Sequence, residues 1–278
     1  MTADDGFATA LDGGTRLYWE SAGSGSPVLL IHGLGLSGGA WWRTIEALSP
    51  ALRVITFDHR GIGRSKSLTP AYTTEAMADD AVAVIDALGL DDAHVYGFSL
   101  GGMVAQQLAL RHPLRVRSLV LGATHPGGRR AVRADGEVLA FFRKRAGMPH
   151  ELAAWESVQY NYGARCRARH EDRIAEDIEW RMRQPFNSNA YRAHIFAAAL
   201  HNCYGRLDRI TVPTLVVHGA EDRVIPVENA QLMASRLPNC RLSVLAATGH
   251  LYPTEVPEVD EAIARFFREC DATGVSAA

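Results

Sequence analysis

Ala93-His94-Val95-Tyr96-Gly97-Phe98-Ser99-Leu100-Gly101-Gly102-Met103-Val104-Ala105 decides the fold: a short apolar strand runs into Gly-x-Ser-x-Gly and then into a helix of small residues. This is the sequence form of a nucleophile elbow, a serine at the tip of a sharp strand-to-helix turn. Such a turn strains the serine backbone, and the helix can start this close to the strand only where the flanking positions lack a side chain. Gly97 and Gly101 meet that need. The amides that open the helix, Leu100 first, then point toward Ser99 Oγ and offer a site for a developing oxyanion. Glycine and serine also recur together in ordinary turns, so the rest of the chain must supply a base and an acid.

Upstream, two short extended runs, Phe7 to Leu11 and Arg16 to Glu20, flank the tight-turn signal Asp12-Gly13-Gly14 and predict an antiparallel hairpin at the sheet edge. Pro27-Val28-Leu29-Leu30-Ile31 is apolar at every position, as a strand buried on both faces of a parallel sheet must be. It ends in His32-Gly33-Leu34-Gly35. A second such strand, Arg53 to Phe57, runs into Asp58-His59-Arg60-Gly61-Ile62-Gly63-Arg64-Ser65, where Arg60 is expected to anchor the glycine-rich turn. Trp41 to Ser49 has helical spacing. A further helix, capped by Thr73 or Thr74, carries Met77, Ala81, Ile85 and Leu88 on one face before Gly89 stops it. After the elbow helix comes another buried strand, Ser118 to Gly122. Strand and helix alternate throughout, which predicts an α/β fold: a mostly parallel twisted sheet with helices on both faces.

From His125 to Arg206 the pattern is helical and polar-apolar, rich in arginine, with no buried-strand run. This predicts an inserted helical cap over residues 125–206, with the core formed by residues 1–124 and 207–278. Basic residues outnumber acidic ones in the insertion, whereas the remainder is net acidic. A solvated face with arginines paired to neighbours such as Glu176 and Asp177 accounts for this, and attraction of anionic substrates is the sharper alternative. The sheet pattern resumes at Pro213 to His218, followed by Gly219-Ala220-Glu221-Asp222, a helix near Glu228 to Leu237, the strand Arg241 to Leu245 and the loop Ala247-Thr248-Gly249-His250. A last helix after Pro257 carries Val259, Ile263, Phe266 and Phe267 as one stripe.

Serine is a poor nucleophile at its free pKa, so the elbow needs a base and a group that orients the base. The order serine, acid, histidine is met by Ser99, Asp222 and His250. Asp222 follows one buried strand and His250 the next, and in a parallel sheet those strand ends open on the edge where Ser99 sits. His250 is expected to take the Ser99 proton and Asp222 to hold the imidazole tautomer.

Taken together, residues Gly14 to Phe267 resemble the α/β-hydrolase family. His32-Gly33-Leu34-Gly35, Asp58-x-Arg60-Gly61-x-Gly63-x-Ser65, Gly97-Phe98-Ser99-Leu100-Gly101-Gly102, Gly219-x-x-Asp222 and Gly249-His250 stand in the family's order and spacing. The resemblance implies an oxyanion hole made by the amides of Leu34 and Leu100. It separates this chain from haloalkane dehalogenases and epoxide hydrolases, which carry aspartate at the serine position. It also favours Asp222 as the acid, because Ala123-Thr124-His125, the other place where family members carry it, has no carboxylate. The expected activity is a cofactor-independent serine hydrolase, esterase or lactonase, acting on a small to medium carboxylic ester or lactone. Trp155, Tyr160, Phe196 and Leu200 of the insertion are expected to form the substrate pocket with Leu34, Val224 and Leu251.

The resemblance leaves three other readings open: a carbon–carbon bond hydrolase, a cofactor-free haloperoxidase or perhydrolase, and a ligand-binding receptor that keeps the triad. Members of the first group commonly carry Trp after the histidine, where this chain has Leu251. Composition narrows the field further. A net charge of −2 gives no reason to expect nucleic acid, and no run of about 18 apolar residues is present to span a bilayer. The N-terminal residues lack a basic then apolar export signal, so a cytoplasmic protein is expected. Cys166, Cys203, Cys240 and Cys270 have no metal-ligand spacing, so free thiols and no metal are expected.

Overall fold

The computed structural model describes residues 4–68, 72–145 and 147–273. Among these, nine strands form one sheet: β1 (Asp4–Thr9), β2 (Thr15–Ala22), β3 (Pro27–Ile31), β4 (Arg53–Phe57), β5 (Lys66–Ser67), β6 (Ala93–Phe98), β7 (Val116–Gly122), β8 (Thr214–Gly219) and β9 (Cys240–Leu245). The order across the sheet is β1-β2-β4-β3-β6-β7-β8-β9, with β5 against β2. β1, β2 and β5 pair antiparallel, and every pair from β4 to β9 is parallel. The fold is that of an α/β-hydrolase.

The continuous apolar runs are explained by the two cores. Along β3, Leu29 and Ile31 pack with α2 (Thr74–Ala87) and α3 (Leu100–Arg111), whereas Val28 and Leu30 pack on the opposite face with α1 (Trp42–Leu48) and α12 (Glu258–Thr273). Alternating residues thus find a helix layer on either side, and each fully buried Leu, Ile or Phe contributes about 1.5–3 kcal/mol. The stripe on α12 is buried as its spacing predicts: Val259, Ile263, Phe266 and Phe267 are at most 5% exposed. Between β7 and β8 lie α4 (Gly136–Arg145), α5 (His150–Glu156), α6 (Val158–Asn161), α7 (Ala164–Arg169), α8 (Glu171–Met182) and α9 (Ser188–Leu200). After β8 comes α10 (Glu228–Ala234), and α11 (Tyr252–Glu255) precedes α12. Among the described residues no helix is long and apolar enough to cross a membrane.

The sheet order reverses between β3 and β6: the chain leaves β3 for β4 on one side and returns to β6 on the other. Ile31 is paired with Gly97, so the loops that leave these two strands emerge side by side. Ligands of open parallel sheets bind at such a switch point, at the C-terminal strand ends.

The glycine-rich loop after β4 is anchored by Arg60, as expected, and by Asp58. Arg60 makes a buried bidentate pair with Asp80 of α2, at 2.6 and 2.7 Å, and so ties the loop to a helix. The turn itself is held by Asp58, whose carboxylate accepts the amides of Gly38 (2.7 Å) and Arg64 (2.8 Å). The fork geometry of the Asp80 pair suits the guanidinium, and Asp12 lies 3.5 Å from it as a second carboxylate.

Asp260 on α12 is 2% exposed; its Oδ2 accepts a hydrogen bond from the Thr44 hydroxyl of α1 at 2.9 Å, and Oδ1 has no partner. Burial raises its carboxyl to about 7, the Thr44 bond opposing the shift. The folded chain therefore keeps this proton between about pH 4 and 7 while the unfolded chain releases it, so this group's contribution to stability falls as pH rises through that window. Asp260→Asn removes the titration. Its melting midpoint is expected to change by several degrees less between pH 5 and pH 8 than that of the wild type, and an unaltered pH dependence would show that the folded carboxyl is not protonated.

Candidate active site

Ser99 sits between β6 and α3 with φ 55° and ψ −117°. Left-handed backbone is costly for a residue with a side chain, about 1–3 kcal/mol, and is tolerated only where the surroundings fix it. Here the Ser99 amide donates to Gly122 O at 2.8 Å, and the Thr124 hydroxyl donates to Ser99 O at 2.7 Å. A Cβ at Gly101 would collide with the Ile31 and His32 carbonyls, and one at Gly97 with the backbone of Gly101 and with Ala105. These are the two positions where the elbow requires glycine.

His250 leads from the loop after β9, and its two ring nitrogens bridge the other two residues. Nε2 lies 3.2 Å from Ser99 Oγ, and Nδ1 lies 2.8 Å from Asp222 Oδ2. A carboxylate can only accept, so Nδ1 carries the proton and Nε2 faces the serine hydroxyl as an acceptor. Asp222 lies in the loop after β8 and is 6% exposed. Its Oδ1 accepts the amides of Val224 (2.9 Å) and Ile225 (2.8 Å), and its Oδ2 also lies 3.2 Å from His218 Nε2. Burial alone would raise this carboxyl, but His250 and His218 outweigh it and hold Asp222 down at about 2. It is therefore ionised at neutral pH. Glu221, the adjacent carboxylate, instead accepts the amide of Ala164.

Other histidines near the site serve the backbone. Burial lowers His32 to about 3 and His59 to about 4, so both are neutral. His32 Nδ1 accepts the Gly33 amide, and His59 Nε2 donates to the His32 carbonyl at 2.8 Å. Together they brace the loop that carries Leu34. Leu100 is the first residue of α3, where an amide has no acceptor within the helix.

Ser99 and His250 open into one cavity that is also lined by Leu34, Val224 and Leu251 from the expected pocket set. The other four expected residues lie elsewhere. Tyr160 is buried with Val138 and Phe141, its hydroxyl on Glu137 at 3.1 Å. Trp155, Phe196 and Leu200 are 47%, 69% and 75% exposed. An amphipathic helix shows in its sequence which side is apolar, but not what that side faces. The lining instead comes from Trp41, Phe142, Tyr162, Ile178 and Tyr191, with Arg145 and Arg181 beside them. Arginine excess in the insertion was the available sign of the last two; nothing in the local pattern marks the others.

Comparison with known proteins agrees with the fold. A family model described as alpha/beta hydrolase fold matches residues 26–253. A protein described as a carbamate hydrolase, RutD, of Caulobacter vibrioides is 35% identical over 247 residues, 86% of this chain and 89% of its own. The 2-hydroxymuconate semialdehyde hydrolase of Pseudomonas sp. is 30% identical over 277 residues, 95% of this chain and 94% of its own. Among solved structures, a thermophilic esterase from Thermogutta terrifontis superposes with a TM-score of 0.81 at 29% identity, covering 96% of this chain and 99% of that one. With its sheet order, elbow and matched length, the chain belongs to the α/β-hydrolase family and is similar throughout to hydrolases.

Proposed function

We propose that the protein is a serine hydrolase that cleaves a small to medium carboxylic ester or lactone through an acyl-enzyme. The observation that carries this reading is the continuous chain Ser99 Oγ, His250, Asp222, at 3.2 and 2.8 Å, opening into a largely apolar cavity. Ser99 Oγ attacks the substrate carbonyl while His250 Nε2 takes its proton. Asp222, held ionised, stabilises the imidazolium that forms. The carbonyl oxygen becomes an oxyanion, which in this reading the amides of Leu34 and Leu100 receive. His250 then gives the proton to the departing alcohol. Water, deprotonated by the same imidazole, releases the acid and restores Ser99. No step needs a cofactor. The helices of residues 125–206 act in this reading as a cap over the core of residues 1–124 and 207–278.

The triad fixes acyl transfer without fixing the acyl group. The relative described as a carbamate hydrolase extends the set to carbamoyl substrates. Turnover on a panel of short 4-nitrophenyl esters, lactones, carbamates and vinylogous diketones ranks these classes, and absence of turnover on all of them would favour a ligand-binding role.

A serine-directed phosphonate is expected to label Ser99 and abolish activity; adduct on another residue would remove the elbow from the mechanism. Ser99→Ala should lose at least about 10³-fold in kcat with the fold intact, because nucleophile and base act as a unit. Asp222→Asn should cut kcat by about 10²–10⁴-fold through the wrong imidazole tautomer, whereas Glu221→Gln should retain most activity.

The corrected pocket gives a separate expectation. Phe196→Ala and Leu200→Ala remove solvent-facing side chains and should leave both the melting midpoint and the preference between short and long acyl esters unchanged. Tyr160→Ala should cost about 3–5 kcal/mol of stability by emptying its own small core. A change of chain-length preference in the two exposed variants would restore them to the pocket.

A further inference from the structure

Three side chains from three different helices line the cavity with no ion-pair or hydrogen-bond partner for their polar ends among the described residues. Arg145 ends α4, Arg181 lies on α8 and Tyr191 on α9, and all three line the space that Ser99 and His250 open into. Among the described residues, neither guanidinium has a carboxylate within ion-pair distance. The other cavity cation, Arg43, is satisfied by Glu176 at 2.7 Å and Asp177 at 3.2 Å. Asp177, the one cavity-lining carboxylate, is further occupied by the hydroxyls of Tyr162 and Thr254. Tyr191 is 5% exposed, and its buried hydroxyl has no hydrogen-bond partner.

Like charges gathered in a partly dry pocket are unfavourable unless an anion joins them. The strain is visible in the neighbours. Burial and the nearby Arg145 lower Arg181 to about 10, so it stays charged at neutral pH. His150 is held below its ordinary value by burial and by these two arginines, which disfavour a further cation beside them. Arg43 with its two carboxylates sums to one negative charge, and Arg145 with Arg181 to two positive ones. The balance left for a ligand is a single negative charge.

We propose that Arg145, Arg181 and the Tyr191 hydroxyl form a subsite for a carboxylate carried by the substrate, so that the enzyme takes half-esters of dicarboxylic acids or carboxylate-bearing lactones. This rests on the hydrolase reading above. Guanidiniums present paired donors that match a carboxylate, and a phenol adds a third. The subsite adjoins the reacting centre. Arg145 lies 5.7 Å from the Tyr191 ring centroid, and that ring fills the space where a Cβ on Gly35 would stand, one residue from Leu34. A carboxylate held there positions a carbonyl further along the same molecule over Ser99, and the fixed charge discriminates against uncharged acyl chains.

The test compares mono-4-nitrophenyl glutarate with 4-nitrophenyl valerate, which differ at the far end of the acyl chain in a carboxylate against a methyl group. Wild type is expected to favour the charged ester by about tenfold or more in kcat/KM, mainly through KM. Arg145→Met and Arg181→Met should each lower that ratio about tenfold, and Tyr191→Phe by roughly threefold. A wild-type ratio of one or less, or ratios unmoved in folded variants, overturns the subsite. Calorimetric titration of Ser99→Ala with monomethyl glutarate reads the subsite without turnover. Binding that is lost in Ser99→Ala/Arg181→Met, with no ester cleaved by wild type, would overturn the hydrolase reading and keep the subsite. Cleavage of both esters alike with no such binding would do the reverse.

Discussion

The contact on which the structure depends is the backbone crossing where α3 starts against the end of β3. Gly101 lies so close to the Ile31 and His32 carbonyls that no side chain fits. That closeness lifts Ser99 into a left-handed conformation at the tip of the turn and keeps it there. Because β3 and β6 are neighbours at the point where the strand order reverses, the same crossing places the His32 to Gly35 loop beside the serine. Steric necessity and sheet topology thus set one geometry together, and each would be ineffective without the other.

Around that fixed point the electrostatics are arranged by subtraction. Several histidines lie close to the serine loop, and burial keeps His32 and His59 neutral and engaged with backbone groups. They hold shape and exchange no proton with Ser99. Asp222 is the opposite case: two amides, His250 and His218 converge on one buried carboxylate and keep it ionised despite the cost of desolvation. His250 is thereby the imidazole that touches both a fixed negative charge and the serine hydroxyl.

The core and the triad were legible in the sequence because both rest on local rules. An unbroken apolar run such as Val28 to Ile31 needs cover on both faces, and Ser99, Asp222 and His250 each follow a strand whose direction is known once the sheet is parallel. The share of the pocket that comes from residues 125–206 was not legible, for a physical reason. Phe196 and Leu200 carry the apolar signal yet face solvent, while Arg145 and Arg181, which read as a solvated helix face, point inward. Periodicity encodes which residues share a side of a helix. Where short helices pack around a cavity that mixes apolar and charged side chains, that information does not separate cavity from solvent. Arg60 was legible as an anchor of its loop, but its partner was not: Asp80 is 20 residues away, on a helix whose apolar stripe alone was informative.

The inserted helices are not an independent lid resting on the core, because their backbone is joined to the loop that carries His250. Glu255 of α11 accepts the amides of both Gly163 and Gly249, and Leu251 donates to the Asn161 carbonyl at 2.9 Å. A Cβ at Gly249 would strike the same segment, at Gly163 N and Tyr162. The residues on either side of His250 are therefore tied to positions 161–163, at the junction of α6 and α7. Burial raises Glu255 to about 7 against the two amides that favour its ionised form. Its carboxyl is thus about half ionised at neutral pH, with the two amides opposing the cost of burial. Tyr162, in that junction, reaches Asp177 at 3.0 Å, and Asp177 in turn holds Arg43 of α1. One chain of polar contacts runs from the His250 loop through the helices between β7 and β8 to the core on the far side of the cavity. Placement of His250 over Ser99 and closure of the pocket by the helices are consequently a single structural condition.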